Sequence, residues 1–586
     1  MPKNLLLLLL LLLLAASANA QMKRAIVEEN YRIRVETTDW PDVLTPREDG
    51  FAQLPGFPKA TVAHPTFKNF RNVTLADLTG DGAEEILWAT NRTLFVYTAN
   101  GLLWSKALTG VAIYPPSVAD LNGDGQLEIV QLTGGQNEQG RIYALNHLGE
   151  DLPGWPLNFN NNWMLSAAAL ADLDGDGQLE ILAAERRPPG GRLHVLRWNG
   201  AAFSPDFPVD FERTPAITPS VGDLDADGEP EIVIATTESF YILNLQGQIK
   251  TEISNPEGQR YSYQSPVLVD LDQDGHLEIV GATHGNAPQF FVLNADGTFR
   301  AGWPLPVPGN FWTFTTPAVI ESADEGAYTI LMSRRLGLGP DDMLYGWDAD
   351  ARLRNGFPIA EMEGNEGLIT VADVDGDGQM EVLFGSTLQG TLGQGFIHAY
   401  KLDGSGRVAG FPLRPRGWTT VNGANIGDVN GDGKMNLVAL SYTQNFGQGV
   451  DSVYLNVYNL DVPYAPDRVA WSTYKGDNTR SGLLTTPLST STHAQTIPAQ
   501  TLRLRPLHNP VGDEGTTLLL SLSQQETLRI DLYDATGRSV QTVFQGEMPA
   551  GEQNVMCRMA GLPAGIYWLR ALTQRGGLQT VTLVKH

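Results

Sequence analysis

Along most of the chain, short apolar runs alternate with tight polar loops, and no stretch sustains the 3.6-residue spacing of an amphipathic helix. One run leads into an acidic loop, as in Ser265 to Asp270, and a second leaves it, as in Glu278 to Thr283. A third ends in an Asn, Asp or Gly turn, as in Leu94 to Gly101. A fourth is often Gly-aromatic-Pro, at Gly154-Trp155-Pro156, Gly302-Trp303-Pro304, Gly356-Phe357-Pro358 and Gly410-Phe411-Pro412. Such runs between turn residues predict four short antiparallel strands per unit.

The unit repeats. Intact acidic loops begin at Asp77, Asp120, Asp172, Asp223, Asp270, Asp373 and Asp428. The gap from Asp270 to Asp373 is double length, and halfway along it Glu321 stands where the aspartate belongs. Ala323 takes the third position of that copy, which is expected to hold no ion. Counting it gives eight units with a period of about 50 residues. The expected fold is all-β: a β-propeller of four-stranded blades, eight by this count with seven as the alternative, then a small C-terminal β-sandwich. Gly56-Phe57-Pro58 looks like a fourth-strand motif with no loop before it, and Trp471 begins a similar closing segment. Which of them closes the ring is left open.

The loops read D-x-[DN]-x-D-G-x-x-E. Their candidate metal ligands are Asp77, Thr79, Asp81 and Glu85; Asp120, Asn122, Asp124 and Glu128; Asp172, Asp174, Asp176 and Glu180; Asp223, Asp225, Asp227 and Glu231; Asp270, Asp272, Asp274 and Glu278; Asp373, Asp375, Asp377 and Glu381; and Asp428, Asn430 and Asp432. Calcium takes six to eight hard oxygens, and alternate positions of a tight loop can turn inward together, with a carbonyl from position 7 and a carboxylate from position 9. The last acid falls at position 9 rather than 12 and strands flank the loop, which excludes an EF-hand or a dockerin. Several structural calcium ions, up to about seven, are expected, with the loops at Asp172, Asp223, Asp270 and Asp373 strongest. Lys434 and Asn436 weaken the one at Asp428.

Charge agrees. The chain has 66 acidic and 40 basic residues, a net charge of −26. The seven intact loops hold 26 of the acids, so the other 40 balance the basic residues. Such a balance opposes binding to nucleic acid. The single cysteine, Cys557, excludes an internal disulfide and cysteine-based metal sites.

Lys3, the leucine run Leu5 to Leu14 and Ala18-Asn19-Ala20 form a secretory signal peptide over residues 1–20, too short an apolar run to span a bilayer. No later segment is long and apolar enough to cross a membrane. An N-terminal extension (21–50) precedes the propeller (51–482), a Ser/Thr/Pro-rich linker (483–500) follows, and alternating runs over 501–586 predict the C-terminal sandwich.

The loops resemble the FG-GAP/VCBS repeats, whose calcium-loop propellers include the integrin α head; the resemblance covers roughly residues 50–480. It implies a calcium-stabilised propeller with each loop joining the first two strands of a blade, and no single activity. In the C-terminal region Leu532 to Arg538, Pro549-Ala550-Gly551, Gly561 to Tyr567 and Val584-Lys585 resemble the type A sorting domain of type IX secretion. That implies passage through the periplasm, the type IX machinery as partner, cleavage near the linker, and a secreted or outer-surface destination.

Catalytic motifs are missing: no G-x-S-x-G, H-E-x-x-H or Walker loop occurs. His194 and His398 lie in apolar runs as core or rim residues, and His284 follows a second strand. Arg186-Arg187 and Arg334-Arg335 follow second strands too, where acidic-sugar recognition competes with a solvated loop. The Gly-Trp-Pro tryptophans are expected to pack between blades. The leading function is a non-enzymatic surface or secreted protein binding a glycan or protein ligand. The alternative is a polysaccharide-active, lyase-like enzyme on the same scaffold, which needs a Lys, Arg, Tyr or His base on one face.

Overall fold

The computed structural model describes residues 21–28, 32–41, 50–484 and 502–585, apart from short internal segments of which 336–340 and 445–449 are the longest. The signal peptide, most of the linker and Ala323 therefore lie outside the described residues. The chain divides into two units, Met1–Pro487 and Leu488–His586.

The first unit is built of four-stranded antiparallel sheets, eight among the described residues. Sheet 1 comprises Thr74–Ala76, Glu85–Thr90, Thr93–Thr98 and Gly101–Ala107. Sheets 2 to 6 repeat that order, their first strands being Ser117–Ala119, Ala169–Ala171, Ser220–Gly222, Val267–Val269 and Ala318–Glu321. Sheet 7 starts at Ile369–Ala372 and sheet 8 at Asn425–Gly427. Besides strands, the described residues contain two short 3-10 turns, Pro308–Asn310 and Pro466–Arg468.

Burial follows strand order. Second strands such as Glu85–Thr90, Glu128–Thr133 and Glu381–Gly385 are buried throughout, so they read as continuous apolar runs behind one leading acid. Fourth strands such as Ile249–Ser254 alternate with solvent. Apolar clusters form between consecutive sheets: Val130 and Leu132 meet Leu170 and Ile181, and Leu383 and Ala399 meet Leu437 and Ala439. Ile86 and Trp88 of sheet 1 share a cluster with Val438 and Leu440 of sheet 8. The first strands accordingly touch in chain order from sheet 1 to sheet 8 and back to sheet 1. Tryptophans tie neighbours together, as expected. Nε1 of Trp155 donates to the carbonyl of Trp198 at 2.7 Å, and that of Trp303 to Ala349 at 3.1 Å.

Both candidate closing segments are used, in different places. Lys59–Val62, just after Gly56-Phe57-Pro58, forms the outer strand of sheet 8 against Ser452–Pro463. Val469–Trp471 instead pairs with the first strand of sheet 7. From there the chain runs along the first strands of successive sheets. The Ser472 carbonyl accepts from Asn425 Nδ2 in sheet 8, and Asn478 Nδ2 donates to the Leu75 carbonyl in sheet 1. Carbonyls of Asn478, Thr479, Ser481 and Gly482 then accept from the backbone N–H groups of Val118, Leu170, Val221 and Leu268, in sheets 2, 3, 4 and 5. We call residues 469–484 the belt.

The N-terminal extension contains a hairpin, Gln21–Val27 against Ile33–Pro41, whose first strand also pairs with Leu388–Gln389. Its Ala25, Val27 and Ile33 join the cluster containing Phe67, Phe70 and Tyr114.

In the second unit a three-stranded sheet (Leu502–Pro506, Thr516–Leu522, Gly551–Cys557) and a four-stranded one (Glu526–Asp534, Ser539–Met548, Gly565–Thr573, Leu578–Lys585) share one apolar cluster.

Candidate metal centres

Every intact acidic loop joins the first and second strands of its sheet, and carboxylates fold it locally. In the loop at Asp77, Oδ1 accepts from the Gly80 and Asp81 N–H groups and Oδ2 from Gly82. The glycine at position 6 has φ between +76° and +94° in all seven loops, a region in which a Cβ is strained. The position-5 acid uses one oxygen to accept the position-7 N–H, as Asp176 does from Gln178 at 2.8 Å. The position-9 acid accepts the N–H of position 2: Glu180 from Leu173 at 3.0 Å, Glu278 from Leu271 at 2.8 Å. In the loop at Asp428, Asn436 does the same for Val429 at 2.9 Å.

These bonds leave outward-facing oxygens that converge. In four loops an oxygen from each of positions 1, 3 and 9 lies within 4.8 Å of the others: Asp172, Asp174 and Glu180; Asp223, Asp225 and Glu231; Asp270, Asp272 and Glu278; Asp373, Asp375 and Glu381. They are the four loops ranked strongest from sequence. The position-5 acids Asp176, Asp227, Asp274 and Asp377 fall outside these triads. At Asp77, Asp120 and Asp428 the third residue is Thr79, Asn122 or Asn430, so three carboxylates do not converge. Thr79 turns its N–H to Glu85 at 3.2 Å, and Asn122 and Asn430 bond Asp124 and Asp432. Glu321 is exposed at a strand end. Three hard oxygens this close repel one another unless a cation lies between them, so the triads fit calcium.

The electrostatics say the same. Burial, reinforced by neighbouring aspartates, pushes the carboxyls of Glu128, Glu180, Glu278 and Glu381 up to about 7.

Five basic residues that sequence reasoning missed sit on the triads; one, Arg468, reaches Asp373 at 2.6 Å from the turn before the belt, and the other four come from the sheet of their own loop. Arg197 reaches Asp174 at 2.9 Å and Glu180 at 3.2 Å; Lys250 reaches Asp225 and Glu231, both at 2.8 Å. Arg300 lies 3.0 Å from Asp272 and 3.1 Å from Glu278. Lys401 touches Asp375, Asp377 and Glu381 at 2.7–2.9 Å. For Arg197, Lys250, Arg300 and Lys401 the signal was available as spacing, since each follows the third loop position by 23 to 28 residues. Among the described residues the loops at Asp77 and Asp120 carry no such ion pair. A tethered positive charge opposes a divalent ion at the same oxygens. Arg300→Gln and Lys401→Gln should therefore each tighten calcium at their own loop about threefold to tenfold. Calorimetric calcium titration checks this, and unchanged or weaker binding would show that the side chain does not compete.

Of the other sequence candidates, His284 is buried and His398 lies 3.8 Å from Glu361. Arg334 is buried on Asp341 at 2.6 Å, Arg335 lies 3.7 Å from the buried Glu366, and Arg186 stacks over Trp163. His194 sits on Glu185.

No curated protein matches the chain. Among solved structures it is similar to the Vibrio cholerae biofilm matrix protein Bap1 (14% identity, 97% of this chain and 85% of that one, TM-score 0.32). It is also similar to the quinohemoprotein alcohol dehydrogenase of Comamonas testosteroni (12%, 71% and 79%, 0.43) and to the BP39L lectin of Burkholderia pseudomallei (8%, 59% and 100%, 0.42). At such scores these likenesses bear on neither ligand nor activity. The FG-GAP-like repeat model matches residues 77–131, 120–183 and 172–234, each match beginning on the first aspartate of a loop. Residues 77–234, which hold four of the seven acidic loops, are thus FG-GAP-like repeats within an all-β protein of four-stranded sheets.

Proposed function

We propose that the first unit is an eight-bladed propeller stabilised by several calcium ions, and that it serves as a secreted or cell-surface protein binding a glycan or protein partner without catalysis. The closed cycle of first-strand contacts supports the blade count. The observation that carries the function is how the acidic loops are used. Their carboxylates are tied to loop backbone and converge with one another, so the most repeated chemistry in the chain serves the scaffold.

Export rests on the signal-like residues 1–20 and on the resemblance of the second unit to a type IX sorting domain, with the type IX machinery as partner and the linker as cleavage region. Among the described residues no helix is long and apolar enough to cross a membrane. Intact-mass measurement of protein from the medium or cell surface should show loss of residues 1–20 and of the module beyond the linker. Recovery of the full-length chain in the cytoplasm would sink the export reading. A glycan-array screen of the exported protein tests the binding role, and release of unsaturated products from polysaccharides would replace it with a lyase.

A further inference from the structure

One sheet departs from the repeat in two places that meet in space. At the sixth residue of the second strand, counted from the loop acid, Thr90, Thr133, Thr236, Thr283, Ser386 and Ser441 place a hydroxyl. Such a hydroxyl needs one carbonyl, as Thr133 Oγ1 finds that of Thr109 at 2.7 Å. Sheet 6 has Arg334 there, engaged by Asp341. Sheet 3 has Glu185. On the next strand, opposite the fourth residue rather than the sixth, sheets 1, 2, 4, 5 and 6 place Phe95, Tyr143, Tyr241, Phe291 and Tyr345 and sheet 7 places His398; sheet 3 has His194 there, diagonal to Glu185. His194 Nε2 lies 2.7 Å from Glu185 Oε2, and Asn162 Nδ2 donates to Oε1 at 2.6 Å. The two side chains are 9% and 3% exposed. Taking a carboxylate out of water is costly, and the other sheets fold without one here, so the exchange is not a requirement of the scaffold.

The pair forms the floor of a cavity of about 260 Å³ where the chain passes from sheet 2 to sheet 3. Asn158, Asn160, Asn162, Arg187 and Arg192 also line it, and Phe159 packs edge-on to His194 with ring centroids 4.8 Å apart. Asp210 and Glu185 match the charges of the two arginines, Asp210 bonding Arg192 at 2.5 Å with Arg187 3.6 Å away. Planar amide, carboxylate and guanidinium edges each offer paired hydrogen-bonding atoms, which suits adjacent hydroxyls, while an aromatic ring suits the C–H face of a sugar.

We propose that this cavity binds one neutral sugar ring, the end residue of a glycan; this rests on the glycan-binding reading above. Room for a single ring, acids that equal the arginines in number and a polar floor under an aromatic side chain favour a neutral hexose over an anion.

The test is ligand-observed saturation-transfer NMR on the exported protein with free glucose, galactose, mannose, fucose, N-acetylglucosamine and glucuronic acid. A neutral sugar should bind, and Glu185→Thr, which installs the residue four of the eight sheets carry, should weaken it by at least about tenfold with the melting temperature unchanged. Asn160→Ala, at the exposed rim, should weaken the same sugar and decides the matter if Glu185→Thr fails to fold. Binding of glucuronic acid alone, or of no sugar, would overturn the proposal, the latter leaving protein binding intact. A neutral sugar bound equally by wild type and both variants would place glycan recognition elsewhere on the protein and overturn this site alone.

Discussion

A chain ended after Tyr464 should fail to form the first unit, whereas one ended after Leu484 should retain it. The belt supplies what the first strands otherwise lack. Four of its carbonyls accept from Val118, Leu170, Val221 and Leu268, and the Leu484 N–H donates back to the Leu268 carbonyl. Each such bond contributes about 1 kcal/mol net, and a buried N–H left without its partner costs about 1–3 kcal/mol. Lost together, these approach the whole stability of an ordinary domain, about 5–15 kcal/mol. The belt also places Tyr474, Lys475 and Arg480 among the buried side chains. Lys475 Nζ donates to the Pro219 carbonyl at 2.5 Å and Ser220 Oγ at 2.8 Å, and Arg480 holds Thr74, Thr473 and the Tyr474 and Asp477 carbonyls. Circular dichroism melts and protease resistance of the two truncations give the comparison. A cooperative melt from the shorter chain would show the belt to be dispensable.

Removing calcium should lower the unfolding temperature substantially, and the loss should be greater at pH 8 than at pH 5. Calcium at ten times its Kd contributes about 1.4 kcal/mol per loop, so four carboxylate triads contribute about 6 kcal/mol together. The pH sign follows from the glutamates. Glu128, Glu180, Glu278 and Glu381 have folded pKa values near 7, above their usual 4.5. Between those values the metal-free folded state holds more protons than the unfolded one, so its stability falls as pH rises from about 4.5 to 7 and then levels off. Protonation and calcium are alternative ways of relieving the same repulsion. Asp172→Ala and Asp270→Ala should each remove roughly one ion and part of the stabilisation, while Glu321→Ala should change neither. Elemental analysis and melts with and without chelator at both pH values measure this. An unchanged melt, or no bound calcium, would defeat the assignment for all loops.

The loops also link neighbours. Backbone N–H groups of Glu84, Leu179 and Leu277, at position 8, donate to carbonyls of Asp428, Leu121 and Leu224 in the preceding sheet. A loop that opens is therefore felt by two sheets.

How much of this was legible varies with the range of the interaction. The loops could be read because their ligands lie within nine residues and their spacing recurs. Second strands could be read because burial on both faces makes them continuously apolar. The belt was legible only at its start, where Trp471 marks a closing segment; its course was hidden because Tyr474, Lys475 and Arg480 bury polar and charged side chains, so no hydrophobic period marks them. Lys59–Val62 pairs with residues nearly 400 positions away, a choice no local pattern encodes. Glu185 and His194 were visible as residues, but their meeting depends on cross-strand register. The Arg and Lys counter-ions were missed because they come from later strands and the turns around them, outside the motif that draws the eye.

The belt also sets an order of events during synthesis. Each sheet from 1 to 6 can pair its strands as they emerge, since its partners are close in sequence. Sheet 8 must wait for Ser452–Pro463 to meet a strand made long before, and the inner row of N–H groups stays unsatisfied until Leu484 is free. A growing chain is therefore an open arc of finished sheets with an unlocked interior until the last stretch of the first unit arrives. Arrest or damage just short of that point leaves nearly all of the strands present and the ring unsealed.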